Sequence, residues 1–142
     1  MIGILIVTHG DFAKGLKNAV ELIAGRQELF EVIGLYHGDS IEKFYDNVSK
    51  KIDELEQGNG VLVFVDILGG SPSNTVLKLL KEKNIKAITG VNMPMVCHAV
   101  CSRLSNVDIN ELFIQCLENG KNNQIVLNDI LENIEKKIEE DF

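Results

Sequence analysis

The chain has 142 residues, of which 45% are hydrophobic and 25% charged, and its formal net charge is −7. That size and balance fit one soluble globular domain, while an acidic surplus with Arg26 and Arg103 as the only arginines argues against a nucleic-acid partner, which would need a basic face. No apolar stretch reaches the length of a membrane span, and free thiols at Cys97, Cys101 and Cys116 fit a reducing compartment, so a cytoplasmic chain is expected.

In chain order, Ile2 to Thr8 reads as a buried strand ending in His9-Gly10. Asp11 is the expected cap of a helix in which Phe12, Leu16, Ala19, Val20 and Ile23 recur at helical spacing up to a stop at Gly25. Leu29 to Tyr36 is a second strand, and Ser40 caps a helix expected to carry Ile41, Phe44, Tyr45, Val48, Ile52 and Leu55 inward. The run Val61 to Ile67 suits a strand buried on both faces, broken only by Asp66 near its carboxyl end. Gly69-Gly70 then permits a sharp turn, with Ser71 expected as N-cap and Pro72 as the first helical residue.

Ile85 to Thr89 is a fourth strand, followed by the loop Gly90-Val91-Asn92-Met93-Pro94 and a helix bearing Met95, Val96, Ala99, Val100 and Leu104. Asp108 caps a helix running to Gly120, Gln124 to Leu127 is a candidate short strand, and an acidic helix follows from Asn128. Domain boundaries are accordingly expected at 1–127 and 128–142. Cys97 and Cys101 flank His98 one turn apart, but helical spacing turns His98 to another face, so a buried stripe is the expectation and not a metal site. Alternating strands and helices imply an α/β fold: an open, doubly wound three-layer sandwich with a parallel sheet and right-handed crossovers.

In such sheets the working site lies beyond the carboxyl ends of the strands. His9, Asp66 and Asn92 all fall there. If the first and third strands are neighbours, their tips lie about 5 Å apart and His9 can bond Asp66. A carboxylate on one ring nitrogen fixes the tautomer and leaves the other as base or nucleophile. Hydrolysis with a serine, metal binding and attack on phosphorus all fit that pair. Ser71 is better explained as a cap than as a nucleophile, and further metal ligands are lacking nearby. Attack on phosphorus accounts for more, because helix starts after His9 and Ser71 would receive the dianion. No Gly-x-x-x-x-Gly-Lys-Ser/Thr loop is present, so no nucleotide donor and no cofactor is signalled. The donor expected is another phosphoprotein.

Three motifs carry a family resemblance: Ile6-Val7-Thr8-His9-Gly10, Val65-Asp66-Ile67-Leu68-Gly69-Gly70-Ser71-Pro72-Ser73-Asn74, and Gly90-Val91-Asn92-Met93-Pro94-Met95. In order and spacing they resemble the EIIA domain of the mannose/fructose/sorbose class of the bacterial phosphoenolpyruvate-dependent sugar phosphotransferase system (PTS). The resemblance implies a mostly parallel sheet of order 2-1-3-4 and a homodimer; some members of the family exchange an antiparallel edge strand across it, for which Gln124–Leu127 is the candidate here. It implies that His9 accepts a phosphoryl group from phospho-HPr and passes it to EIIB, with membrane association only indirect, through EIIC/EIID. Asp66 would orient His9, and Ser71, Gly10 and Gly70 would line the phosphate site. Leu68, where some members have a bulky aromatic, and Asn92 and Pro94 would face the partners. No EIIB domain follows, so a free-standing EIIA is expected. The alternatives are the phosphotransfer subunit of a phosphoenolpyruvate-dependent dihydroxyacetone kinase, or a module that reports phosphorylation state without passing phosphate on.

Overall fold

Side chains alternate across a strand, and here both sides are apolar. Ile4, Leu5, Ile6 and Val7 are all fully buried, Ile4 and Ile6 entering one core and Leu5 and Val7 the other. Leu62 and Phe64 join the first core, and Val61, Val63 and Val65 the second. A sheet with two apolar faces must be covered twice, and the helices do so. The computed structural model describes residues 1–141. Its strands are β1 (Gly3–His9), β2 (Phe30–Leu35), β3 (Val61–Val65) and β4 (Ile85–Ile88). The helices are α1 (Phe12–Ala24), α2 (Ile41–Leu55), α3 (Ser71–Leu79), α4 (Met93–Ser102), α5 (Ile109–Asn122) and α6 (Leu127–Glu140).

Every ladder is parallel and the order is β2-β1-β3-β4, the expected one. One layer is formed by α1, α4 and α5, through Ala13, Leu16, Val20, Val96, Val100 and Leu112; the other is formed by α2 and α3, through Phe44, Val48, Ile52, Val76 and Leu79. Each fully buried aliphatic side chain contributes roughly 1.5–3 kcal/mol relative to exposure. The chain turns one way from β1 to β2 and the other way through β3 to β4. The switch point therefore lies between β1 and β3, where Val7 pairs with Val65. Among the described residues no helix is long and apolar enough to cross a membrane.

Several local expectations are corrected. Ile41, expected to point inward, is exposed at the first turn of α2, and Phe12 and Ile23 of α1 are exposed too, so both helices bury a narrower stripe than their apolar spacing suggests. Asp11 occupies the N-cap position of α1 without bonding its N–H groups; the Thr8 hydroxyl takes the N–H of Ala13 at 2.9 Å instead. Gly70, not Ser71, is the N-cap of α3, because the turn at Gly69 (φ 93°) closes one residue early and the Gly70 carbonyl already accepts from Asn74. Strand β3 ends at Val65, leaving Asp66 just past the ladder. Gln124 to Leu127 form no strand: residues 124–126 are irregular and Leu127 opens α6. An apolar run of that length is compatible with strand or helix, and within one chain the leucine continues the helical stripe that follows. The C-terminal helix expected over 128–142 ends at Glu140, and Phe142 lies outside the described residues.

Candidate functional site

His9 is the last residue of β1, and the backbone around it is pinned from several sides. The Thr8 side chain, fully buried, donates to the His9 carbonyl at 3.2 Å while capping α1. Gly10 turns the chain with φ 53° and donates its N–H to the Leu35 carbonyl at 2.8 Å, tying the loop to the tip of β2. That N–H is thus committed to β2, so any part Gly10 takes in lining a phosphate site comes from its backbone turn and not from this donor. Glycine is also demanded opposite: a Cβ on Gly34 would collide with the Gly10 carbonyl and press on the Tyr36 ring. Tyr36 then donates its hydroxyl to Asp11 Oδ1 at 2.6 Å, which closes a strap over the loop. The Asp11 carboxylate raises the Tyr36 pKa, first through that hydrogen bond and then with some desolvation. The strap had one signal in the sequence, a glycine inside the β-branched run of strand two.

Asp66 reaches across from the tip of β3. Its Oδ2 accepts both the His9 backbone N–H at 2.9 Å and the ring Nδ1–H at 2.7 Å, and its Oδ1 accepts the Ile67 N–H at 2.8 Å. Burial pulls this carboxyl upward, but the two bonds from His9 and the one from Ile67 outweigh it, and the pKa lies below the ordinary 3.8. An ionised carboxylate can only accept, so Nδ1 carries the proton and Nε2 of the neutral ring carries the lone pair. The His9 side chain is 50% exposed and that of Asp66 only 13%. The carboxylate supports the ring from within, and the free nitrogen faces outward.

Gly70 lies against that outward edge: a Cβ there would stand 2.7 Å from His9 Cε1 and 3.1 Å from Nε2. The absence of a side chain keeps the free nitrogen open. Ser71 begins α3, and neither its hydroxyl nor the N–H groups of Gly70 and Ser71 take a partner among the described residues. Ser73 is spent on the turn, accepting from Gly69 at 3.1 Å. Donors and the positive end of the α3 dipole are thus grouped beside Nε2, a placement suited to an anion and worth about 0.3–1 kcal/mol from the dipole. Leu68 and Ile67 are exposed on the same loop, and Phe12 is exposed at the start of α1.

Asn92 is drawn inward. Its Oδ1 caps α4 through the Met95 N–H at 3.1 Å, and its Nδ2 donates to the Gly120 carbonyl of α5 at 3.2 Å. Pro94 sits half-buried in the first turn of α4. His98 bonds Gln115 of α5 at 2.9 Å, and Cys116 is buried with its thiol pushed up to about 12, so neither joins the site. Among the described residues no group of three or more His, Cys, Asp or Glu is arranged to hold a metal ion.

Fold and site together define a class: an open α/β protein that presents a carboxylate-oriented imidazole at the switch point of its sheet. The sequence family described as "PTS system fructose IIA component" matches residues 3–117. The "PTS system mannose-specific EIIAB component" of Escherichia coli (strain K12) is 31% identical over 84% of this chain, and the chain spans only 38% of that relative's length. The "PTS system fructose-specific EIIA component" of Bacillus subtilis (strain 168) is 27% identical over 72% of this chain and 71% of its own. The crystal structure of phosphotransferase system component EIIA from Streptococcus agalactiae superposes with a TM-score of 0.82 at 29% identity, covering 91% of this chain and 99% of that one. The chain belongs to this EIIA family, the mannose/fructose/sorbose class of PTS components.

Proposed function

We propose that the protein is a phosphoryl carrier that holds the group on His9 Nε2. The observation that carries this reading is the pairing of Nδ1 with Asp66 Oδ2 at 2.7 Å, which leaves the Nε2 lone pair on the open side beside Gly70. In the forward step that lone pair attacks phosphorus in line. The new N–P bond forms as the donor's bond to phosphorus breaks, and the donor leaves with the electron pair. Asp66 stabilises the positive charge that the ring acquires. Ser71 and the N–H groups of Gly70 and Ser71 meet the phosphoryl oxygens. No arginine lies in these motifs, so the group is held without a bidentate clamp and is easily passed on.

The donor proposed is phospho-HPr and the acceptor EIIB, with contact to the membrane only through EIIC/EIID. Exposed Leu68, Ile67 and Phe12 offer the apolar surface such partners require, and the half-buried Pro94 of α4 is a further partner-facing residue in this reading. The carrier unit proposed spans residues 1–127, with α6 appended, and acts as a homodimer in the cytoplasm. The relatives' names differ in their sugar.

The test is incubation with phosphoenolpyruvate, enzyme I and HPr. Acid-labile, base-stable phosphate should appear on the wild type and not on His9→Ala. Equal label on both proteins refutes the carrier reading. Label that cannot be chased onto EIIB favours a module that reports phosphorylation state.

A further inference from the structure

Asp11 stands where a helix-capping carboxylate belongs, yet its side chain caps nothing. It occupies the N-cap position of α1, and an aspartate there ordinarily accepts the N–H of the second or third helical residue. Here its backbone lies at φ −85° and ψ 5°, away from the extended conformation of a cap, and its carboxylate takes no helix N–H. The Thr8 hydroxyl accepts the Ala13 N–H in its place, at 2.9 Å. The N–H groups of Asp11, Phe12 and Lys14 take no partner among the described residues. The amino end of α1, which follows His9 through Gly10 and Asp11, therefore keeps its donors and its positive dipole clear of a fixed negative charge.

What diverts the carboxylate is Tyr36, just past the tip of β2. Its side chain lies across Gly34, where an added Cβ would stand 3.2 Å from both Cε2 and the hydroxyl oxygen. The hydroxyl donates to Asp11 Oδ1 at 2.6 Å. The Tyr36 backbone is itself held: Asp39 Oδ2 accepts its N–H at 2.8 Å, and the Asp39 N–H returns to its carbonyl at 3.1 Å. The bond to Asp11, some desolvation and the charge of Asp39 raise the phenol above its ordinary 10.0, so it remains a donor at neutral pH. A fixed hydroxyl bonded to a carboxylate is a strong partner, and it competes successfully with the helix for Asp11.

We infer that Tyr36 is a positioning residue for phosphoryl transfer: it latches the Asp11 carboxylate away from the amino end of α1, so that no fixed anion opposes the group arriving at His9. This inference rests on the carrier reading of His9. A plain tether would use the same bond only to hold the loop, and loss of either partner would then act alike. A latch makes the partners unequal. Without the hydroxyl, the carboxylate turns to cap α1 and opposes an incoming dianion; without the carboxylate, nothing needs holding back. A unit charge on the order of 8 Å from a dianion in a water-like medium slows its approach roughly fivefold at low salt and less than about twofold at 0.5 M.

The test compares single-turnover labelling from phospho-HPr for the full chain as wild type, Tyr36→Phe, Asp11→Ala and the double variant. Phenylalanine keeps the ring over Gly34. Tyr36→Phe should accept phosphate about fivefold more slowly at low ionic strength and within about twofold of wild type at 0.5 M salt. Asp11→Ala should not be slowed, and the double variant should recover the wild-type rate. Without any phosphate donor, the Lys14 amide proton should move downfield and exchange more slowly in Tyr36→Phe, as the carboxylate captures it, and should return in the double variant. Equal slowing by both single changes with no recovery in the double reveals a tether and overturns the latch. So does a wild-type rate in Tyr36→Phe, or an unmoved Lys14 amide. A wild type that takes no label at all refutes the carrier reading, and this inference falls with it.

Discussion

Asp66 works as an acceptor on every side. Both carboxylate oxygens take a backbone N–H, from His9 and from Ile67, and Oδ2 takes the ring N–H as well. An isosteric Asp66→Asn cannot reproduce this, because whichever way its amide is turned, one NH₂ meets an N–H. If that NH₂ faces the ring, Nδ1 must accept and the proton moves to Nε2, which removes the nucleophilic lone pair. The variant should fold yet accept phosphate on the order of 10²-fold more slowly or worse, as read by single-turnover labelling. Its stability should fall by about 1–3 kcal/mol at neutral pH, from the unsatisfied N–H. The pH dependence has a definite sign. The folded-state pKa of Asp66 lies below the ordinary 3.8, so its contribution is complete above that value and is lost as pH falls through the folded-state pKa. The gap in denaturant midpoint between wild type and variant should therefore be constant through the neutral range and close in acid. A gap that persists unchanged in acid would detach the charge of Asp66 from the stability of the loop.

The elements were legible in the sequence where burial imposed one pattern. Strands β1 and β3 carry apolar residues on both faces, and only a sheet covered twice asks for that. His9 and Asp66 could be placed at strand tips because each interrupts such a run at its end. What could not be read was which of several neighbouring hydroxyls or carboxylates takes which N–H: Thr8, Asp11, Ser71 and Ser73 are all reasonable caps, and the choice is settled by tertiary contacts a few residues away. Gly34 shows the same coupling in a form that can be measured. Its missing side chain lets β2 lie against the Gly10 carbonyl, so that Leu35 can accept the Gly10 N–H at 2.8 Å. Gly34→Ala should push the His9-Gly10 loop off β2, lowering stability by about 1–3 kcal/mol through overpacking. Misplacement of the ring by as little as 1 Å should slow phosphoryl acceptance by up to about 10²-fold. The ring ¹⁵N shifts of His9 would report the altered Nδ1–Asp66 bond directly. An unaltered spectrum with a normal rate would mean that the loop does not depend on β2.

At the scale of the molecule, the end of the sheet opposite the site is fastened by a single side chain from late in the chain. Arg103 follows α4 and is 5% exposed. Its guanidinium donates to the carbonyls of Ile2 and Leu29, both at 2.9 Å, to the carbonyl of Glu28, and to Gln27 Oε1 at 3.4 Å. The Ile2 bond spans 101 positions. Leu29 holds a left-handed backbone with φ 47° while also accepting from Ile4 N–H at 3.0 Å, so Arg103 fixes the start of β2 in a conformation that leucine seldom adopts. A lone arginine gives no warning of such a role, since the pattern that recruits it is made of carbonyl groups and not of side chains. Burial lowers its pKa without threatening the charge of a guanidinium. Arg103→Met keeps much of the volume but leaves the buried Ile2 carbonyl and the part-buried Glu28 carbonyl without the donors they now have. It should cost about 3–5 kcal/mol and lower the melting temperature by about 10 °C or more. The fastening lies at the amino ends of the strands and His9 at the carboxyl end of β1. The variant should therefore accept phosphate at the wild-type rate wherever it remains folded, as rate measurements at 10–15 °C can establish. A slowed rate in that folded range would show that the two ends of the sheet are mechanically coupled.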